Sequence, residues 1–100
     1  MDRRLESLSG LGTLKRADGT MIGRRRYHIE VSQQMHFASG GGEQVPGLRR
    51  ITGRIELEGY EGITYVSEKA ALVLTIEDGR SLPFSFSSSA GHIAHRGDLK

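Results

Sequence analysis

The chain has 100 residues and contains neither cysteine nor tryptophan. Without cysteine it cannot form a disulfide framework, a thiolate metal site or a cysteine nucleophile. Its first ten residues, MDRRLESLSG, also lack the apolar segment of a secretory signal peptide. The absence of disulfides fits a reducing compartment, and a cytoplasmic location is therefore expected.

Long apolar runs are missing as well. No stretch approaches the ~20 consecutive apolar residues that a membrane-spanning helix needs, so we expect no membrane partner. Proline is limited to two residues, whereas glycine, with 14 residues, has about twice its usual share. This composition favours many turns over long helices, and the length suits one domain over residues 1–100.

The strongest local signal lies in Ala70–Ser87, AALVLTIEDGRSLPFSFS. Apolar residues alternate with other residues on both sides of Asp78-Gly79, and this pattern is typical of a β-hairpin with a tight turn. The side chains predicted to face the core are Leu72, Leu74, Ile76, Leu82, Phe84 and Phe86.

A second Asp-Gly turn, Asp18-Gly19, predicts another hairpin, whose second strand covers residues 21–37. One parity of this strand is apolar and the other is polar, which indicates one core face and one solvent face. The apolar set is Tyr27, Ile29, Val31, Met35 and Phe37, and the polar set is Arg24, Arg26, His28, Glu30 and Ser32.

A third long strand is predicted at Leu48–Gly59. Its inward residues are Ile51, Gly53, Ile55 and Leu57. The segment before it, Ala38–Gly47, contains three consecutive glycines and a Pro-Gly pair. Such a composition predicts a flexible loop between the second and third strands.

The remaining segments carry weaker patterns. Residues 1–9 are interpreted as a lead segment that is either disordered or forms a short helical turn, since two leucines lie three positions apart. Residues 60–69 fit either a short strand or a loop over the mouth of a barrel. His92–His95 is interpreted as a last edge strand, and residues 96–100 are expected to fray.

These five or six strands, joined mostly by tight turns, predict an all-β antiparallel meander. A sheet of this size must cover its apolar face by closing on itself or by pairing with another sheet. We therefore expect a small barrel, with an oligomeric sandwich as the alternative. The strand pattern is similar to that of small SH3-like and OB-like barrels, and no motif residues transfer from those modules.

Charge is nearly balanced, because 14 basic residues face 12 acidic ones and the net charge is +2. Only three of the basic residues are lysine, so eleven are arginine. Arginine binds carboxylate and phosphate groups as a planar fork. A dedicated nucleic-acid module usually carries a larger positive excess, so the charge is compatible with an anionic partner without specifying one.

The candidate binding residues are four arginines on the outward faces of the second and third strands: Arg24, Arg26, Arg50 and Arg54. A simpler interpretation pairs Arg24 and Arg26 with Glu56 and Glu58 across the two strands. Such exposed ion pairs contribute about 0.2–1 kcal/mol each. A third interpretation is phosphate binding in which aromatic side chains stack on bases. The aromatic residues weighed for that role are Tyr27, Phe37, Tyr60 and Tyr65.

No catalytic or metal-binding pattern is present. The four histidines, at positions 28, 36, 92 and 95, lack the local spacing of a zinc site, although distant histidines could meet in the fold. There is no nucleophile elbow and no convincing carboxylate pair. Gly40–Gly42 is not followed by the Lys-Ser/Thr of a phosphate-binding loop. We therefore predict no cofactor, no metal and no catalytic residue.

The expected function is that of a non-enzymatic binding or assembly module, which contacts a protein or another anionic partner through the arginine-bearing sheet face. One alternative is a self-associating β-barrel, because the edge strands of a small sheet are open to pairing. The other alternative is a weak nucleic-acid-binding barrel.

The Asp78-Gly79 turn generates a first prediction. Gly79→Val should lower the free energy of unfolding by about 1–2 kcal/mol, because a β-branched residue disfavours the positive φ expected there. Thermal or denaturant unfolding measures the change. A variant as stable as the parent protein would contradict the turn assignment.

Overall fold

The computed structural model describes the backbone of residues 2–37 and 44–100, and the side chains of residues 4–33 and 49–100. In these ranges the chain forms six strands and one helix. They are β1 (Asp2–Arg16), β2 (Met21–Phe37), β3 (Gln44–Ile55), α1 (Glu61–Glu68), β4 (Leu72–Thr75), β5 (Ser81–Phe86) and β6 (Ile93–His95).

The strands form one antiparallel sheet in the order β3-β2-β1-β4-β5-β6. The sheet curls until β6 approaches β3, where Arg54 forms an isolated bridge with His92. At the same place the N–H of Ile55 donates to the carbonyl of Gly91 at 2.9 Å. The predicted all-β barrel is confirmed as a nearly closed barrel of six strands with one short helix.

The connectivity differs from a simple meander. β4 pairs with β1 and not with β3, so the sheet consists of two three-stranded meanders. The segment that contains α1 connects them. A one-dimensional pattern shows which stretches are strands, but it does not show that a strand skips its neighbour in sequence.

Both Asp-Gly turns join strands as predicted. Gly19 and Gly79 have φ angles of +96° and +93°. The preceding aspartates accept the N–H groups of Thr20 and Arg80, both at 2.9 Å. A short loop that ends in a glycine of positive φ is a common hairpin connection, and it sets the register of the flanking strands.

The apolar parities converge on one core. Every inward residue predicted for the β4–β5 hairpin is buried, as are the inward residues of β2 whose side chains are described. Met35 and Phe37 lie outside the described side chains. Burying one large aliphatic or aromatic side chain contributes about 1.5–3 kcal/mol. The most deeply buried side chains are Leu14, Ile29, Val31, Ile51, Ile55, Leu72, Leu74, Leu82 and Phe84.

Gly53 marks the closest approach of β3 to β2. A Cβ at this position would overlap the carbonyl oxygen of His28 and would lie 2.8 Å from Ile29. The sequence predicts either a tight bend or the close approach of a large opposite side chain at this inward glycine. The structure shows a close approach, by the backbone of His28 and Ile29 together with the Ile29 side chain.

β1, β2 and β3 continue beyond the barrel as a three-stranded ribbon. β4 pairs only with the end of β1, so residues 2–12 have just β2 beside them in the described sheet. Two ion pairs connect opposite edges of this ribbon to the barrel. Glu6 pairs with Arg80 at 2.9 Å, and Arg49 pairs with Asp98 at 3.2 Å.

The predicted N-terminal helical turn is wrong. Residues 2–9 are extended and pair with β2. Leu8 packs against the core, whereas Leu5 is 41% exposed beside an irregularity in the β1–β2 register. β2 is long enough to supply backbone hydrogen-bond partners to the whole lead segment, and this long-range pairing outweighs the local leucine spacing.

The described helix instead occupies Glu61–Glu68, where a short strand or a loop is predicted. Tyr65 is buried and stacks on Phe86 with ring centroids 5.8 Å apart. Gly62 packs against the carbonyl of Ser89. Two helical turns rich in β-branched residues have low helix propensity, so these tertiary contacts decide the conformation. This eight-residue helix is neither long nor apolar enough to cross a membrane.

The predicted flexible loop at Ala38–Gly47 is wrong in its last four residues. β3 begins at Gln44 and pairs with β2, with Phe37 opposite Gln44. Residues 38–43 lie outside the described residues.

The C-terminal tail is docked rather than frayed. The N–H of Ser81 donates to the carbonyl of Lys100 at 2.7 Å, and the N–H of Lys100 donates back at 3.0 Å. Leu99 is buried in the core. The expectation of fraying for residues 96–100 is therefore wrong, because backbone hydrogen bonds to β5 and the buried Leu99 hold the segment in place.

Closure of the barrel generates a second prediction. Gly91 has a φ of +98°, and a Cβ there would overlap the carbonyl oxygen of Ile55. Gly91→Ala should therefore destabilise the protein by at least about 2 kcal/mol, through strain and a forced separation of β3 from the turn.

Gly19→Ala is the matched control. Gly19 has a φ of +96°, close to that of Gly91, but no atom would touch its Cβ within 4 Å. The control measures backbone strain without the steric contact. Equal losses of stability in the two variants, or unchanged hydrogen exchange at the Ile55 amide in Gly91→Ala, would contradict the role of this seam.

Candidate binding face

The outward face of β2 and β3 carries a continuous row of cationic and polar groups. Arg24, Arg26 and His28 alternate with inward residues along β2 and are exposed. His28 lies opposite Arg54 of β3. Since side chains of residues two apart point to the same side of a strand, with a spacing of about 6.6 Å, these groups lie next to one another.

Two grooves run over this face, and together we call them the arginine groove. The first has a volume of about 390 Å³ and is lined by Ser9, Gly10, Arg26, Tyr27, His28, Arg54 and Glu56. The second has a volume of about 260 Å³ and is lined by Leu11, Arg24, Arg25, Arg26, Glu56, Leu57 and Glu58. Arg26 and Glu56 line both, so the two grooves are continuous.

Arg24 and Arg26 form no ion pair among the described side chains. The salt-bridge interpretation places them against Glu56 and Glu58, yet no carboxylate oxygen of residues 4–33 and 49–100 lies within 4.0 Å of either guanidinium. Several other arginines of the chain do have carboxylate partners, among them Arg4, Arg16, Arg49 and Arg80. Arg24 and Arg26 are thus the two arginines of the second groove whose charge no described carboxylate compensates directly.

Arg25 takes the carboxylate contacts that its two neighbours lack. It lies on the inward parity of β2, and its side chain is 13% exposed. Its Nε donates to Glu61 Oε1 at 2.8 Å, and its Nη2 donates to Glu61 Oε2 at 3.0 Å. Glu58 is a longer third contact at 3.8 Å. This paired arginine connects β2 to the start of α1.

The electrostatics of Glu61 follow from these contacts. The Arg25 guanidinium holds the pKa of the Glu61 carboxyl below its usual value, although partial burial opposes the shift. The N–H of Glu58 and the hydroxyl of Tyr65 also donate to this carboxylate and lower its pKa further. Glu61 therefore stays ionised, and it orients the strand from which Arg24 and Arg26 project.

Arg54 and Arg50 occupy different places on the face. Arg54 lines the groove and donates from Nε to the carbonyl of Ala90 at 3.2 Å, which fixes the base of its guanidinium. Arg50 is exposed on the same parity of β3 and lies opposite Ser32 in the ribbon. Of the four predicted residues, three line the groove and Arg50 lies further along the sheet.

The aromatic side chains weighed for base stacking do not lie flat on this face. Tyr27 is 6% exposed and points into the core, where its hydroxyl accepts the N–H of Glu77 at 3.4 Å. Tyr65 is on the buried side of α1, where it stacks on Phe86, and Tyr60 lies at the start of the helix. Phe37 lies outside the described side chains. No described aromatic ring offers a stacking surface in the groove.

The described histidines do not assemble a metal site. Within residues 4–33 and 49–100, no three histidine or carboxylate side chains come together in a way that could hold an ion. His36 lies outside the described side chains. His92 is engaged in a turn, where its Nδ1 lies 2.9 Å from the Ser88 hydroxyl. This exposed contact joins residues four positions apart in one turn, and no described carboxylate contacts the ring, so it is explained as a local turn hydrogen bond.

Sequence parity misses the wall of the groove that comes from β1. Ser9 and Leu11 line it because Ser9 pairs with His28 and Leu11 pairs with Arg26. Leu57 contributes a half-buried apolar side chain from the segment after β3. Alternation in β1 would assign Ser9 and Leu11 to the outward face once residues 2–9 are recognised as strand.

No family model, curated protein or solved structure matches this chain.

The Arg25–Glu61 pair generates a third prediction. Glu61→Gln should lower the free energy of unfolding at pH 7 by about 1–3 kcal/mol, because the mutation leaves a half-buried guanidinium without its charged partner. The folded-state pKa of Glu61 is below the ordinary value of 4.5. Its contribution is therefore complete above that value and is lost as the pH falls through the folded-state pKa.

The measurement is denaturant unfolding at a series of pH values. The parent protein should lose stability on acidification below about pH 5, and Glu61→Gln should lose less over the same interval. Glu68→Gln is the control, because Glu68 lies in the same helix and pairs with Arg16 at the exposed surface. It should change stability by no more than about 0.5 kcal/mol. Identical acid profiles for Glu61→Gln and the parent protein would contradict the assignment.

Proposed function

We propose that this protein is a non-enzymatic binding or assembly module that contacts an anionic partner through the arginine groove. The observation that carries the proposal is the exposure of Arg24 and Arg26, which form no ion pair with any described side chain, over two continuous grooves, the first of which Arg54 also lines. A cytoplasmic location, which fits the absence of cysteine, belongs to the same proposal.

The chemistry of the groove supports an anionic ligand group. A guanidinium donates two parallel hydrogen bonds to a carboxylate or a phosphate, and such charge-assisted bonds are stronger than neutral ones. The β2 backbone fixes the spacing of Arg24 and Arg26, and Glu61 anchors the arginine between them. Little ordering is therefore needed at the backbone when a partner binds, which reduces the entropic cost of association.

The lining also bears on the class of partner. It combines four arginines with two glutamates, Glu56 and Glu58. Glu56 lies in the middle of the groove, where it would repel the phosphates of a continuous polyanion. The overall charge of +2 is likewise modest. These features favour a protein partner with a few carboxylates over a nucleic acid.

A titration followed by NMR tests the proposal. A short oligoglutamate peptide is added at low salt to the isotope-labelled protein. The backbone signals of residues 24–28 and 54–56 should move, while those of the β4–β5 hairpin should not. The double variant Arg24→Ala/Arg26→Ala should weaken binding of the peptide by about tenfold, since each exposed charged contact contributes up to about 1 kcal/mol.

The matched control is Arg96→Ala/Lys100→Ala. It removes the same charge from two exposed positions outside the groove, and it should bind the peptide almost as the parent protein does. Equal weakening by both double variants would show non-specific attraction and contradict the proposal. An oligothymidylate that binds better than the peptide, with an affinity that falls steeply with salt, would instead support the nucleic-acid alternative.

A further inference from the structure

We infer that the partner of the arginine groove is a second copy of this chain, which docks face to face. The inference rests on the proposed function and names its partner. It starts from a juxtaposition on one sheet face: a basic row on β2, Arg24 and Arg26, lies beside an acidic row that follows β3, Glu56 and Glu58.

The register sets the two rows side by side. Tyr27 pairs with Ile55, and the N–H of Glu56 donates to the carbonyl of Arg26 at 2.9 Å. Arg26 therefore lies opposite Glu56. The strand pairing ends at this point, because the N–H of Glu58 donates to Glu61 Oε1 at 2.7 Å, but Arg24 and Glu58 line the same groove. Arg24 and Arg26 are alternate residues of an extended strand, which lie up to about 7 Å apart.

This arrangement is complementary to itself under one orientation of a two-fold axis. An axis parallel to the strands and midway between the two rows places each arginine of one copy over a glutamate of the other. Arg26 then meets Glu56, and Arg24 meets Glu58. An axis perpendicular to the strands would place arginine over arginine. An isologous interface needs this kind of self-complementarity, and the charges select one orientation.

The contacts within one chain leave these groups available. Arg24, Arg26 and Glu56 take part in no ion pair of the described structure, although the two rows are neighbours. Glu58 is 79% exposed and touches Arg25 only at 3.8 Å. Leu11, which is 37% exposed, adds an apolar contact at the wall of the same groove.

The sheet edges are less suited to self-association than this face. On the free edge of β1, Glu6 is engaged with Arg80 and lies beside a register irregularity. On the free edge of β3, Arg49 is engaged with Asp98, and Pro46 lacks an N–H group. Charges, irregular register and proline on edge strands all hinder the addition of another strand.

Sedimentation equilibrium over a range of concentrations measures the association. The parent protein should form a reversible dimer, and added salt should dissociate it, because few charged side chains hold it together. Arg26→Glu and Glu56→Arg should each raise the dissociation constant about tenfold or more, since each replaces two attractive contacts by repulsive ones. Arg96→Glu, at an exposed position outside the groove, should leave it almost unchanged.

Mixing the two charge variants is the decisive arm. A heterodimer of Arg26→Glu with Glu56→Arg restores both opposite-charge contacts, so the equimolar mixture should dimerise about as well as the parent protein. This rescue requires contact between two chains, because neither chain alone carries a restored pair. Failure of the mixture to recover would overturn the inference, as would a parent protein that stays monomeric at every concentration.

The two proposals fail separately. A monomeric parent protein that still binds oligoglutamate through Arg24 and Arg26 would overturn the second-copy inference and leave the proposed function standing. Loss of both the dimer and the peptide contact would overturn both. An oligonucleotide that occupies the groove of a monomeric protein would overturn the inference in favour of a nucleic-acid partner.

Discussion

The seam between β3 and the turn before β6 is the constraint on which the fold depends. A sheet of six strands has two open edges, and its apolar face remains exposed to solvent until the two edges meet. They meet at the Ile55–Gly91 hydrogen bond, because a residue without a side chain lets two backbones approach. The same turn receives Gly62 of α1 through Ser89 and the Arg54 guanidinium through Ala90. Barrel closure, helix docking and the position of Arg54 in the arginine groove therefore depend on the same few residues.

Successive side chains of a β-strand point to opposite faces of the sheet, so apolar residues of β2 face the core while Arg24 and Arg26 face the groove. Tyr27 and Ile29 are buried in the barrel, while the residues between and before them project to solvent. Arg25 shows what the inward side requires of a charged group. Arg25 is tolerated there because its guanidinium donates two hydrogen bonds to the carboxylate of Glu61 in the helix. A partly buried charge needs such a partner. Arg24 and Arg26 are exposed and have no such requirement, since water solvates their guanidinium groups.

The parts of the fold that the sequence predicts are those specified by neighbours in the chain. The Asp78-Gly79 hairpin, the apolar parity of β2 and the inward glycine of β3 are all local patterns, and the structure confirms them. The helix at Glu61–Glu68 was not predicted, because its conformation comes from the stacking of Tyr65 on a distant strand. The pairing of β1 with β4 was missed for the same reason. In the candidate site, parity located Arg24, Arg26 and Arg54, whereas Leu11 and the partner of Arg25 required knowledge of which elements are adjacent.

The run of three arginines has a consequence for how β2 finds its register. If the strand slipped by one residue, a different arginine would turn inward, and Glu61 would still find a guanidinium to bind. The ion pair therefore holds β2 against the helix without discriminating between neighbouring registers. The apolar residues that follow distinguish the native register from a slipped one, because the same slip would move Tyr27, Ile29 and Val31 from the core into water. The ion pair attaches β2 to the helix in either register, and the apolar side chains further along the strand determine which register forms.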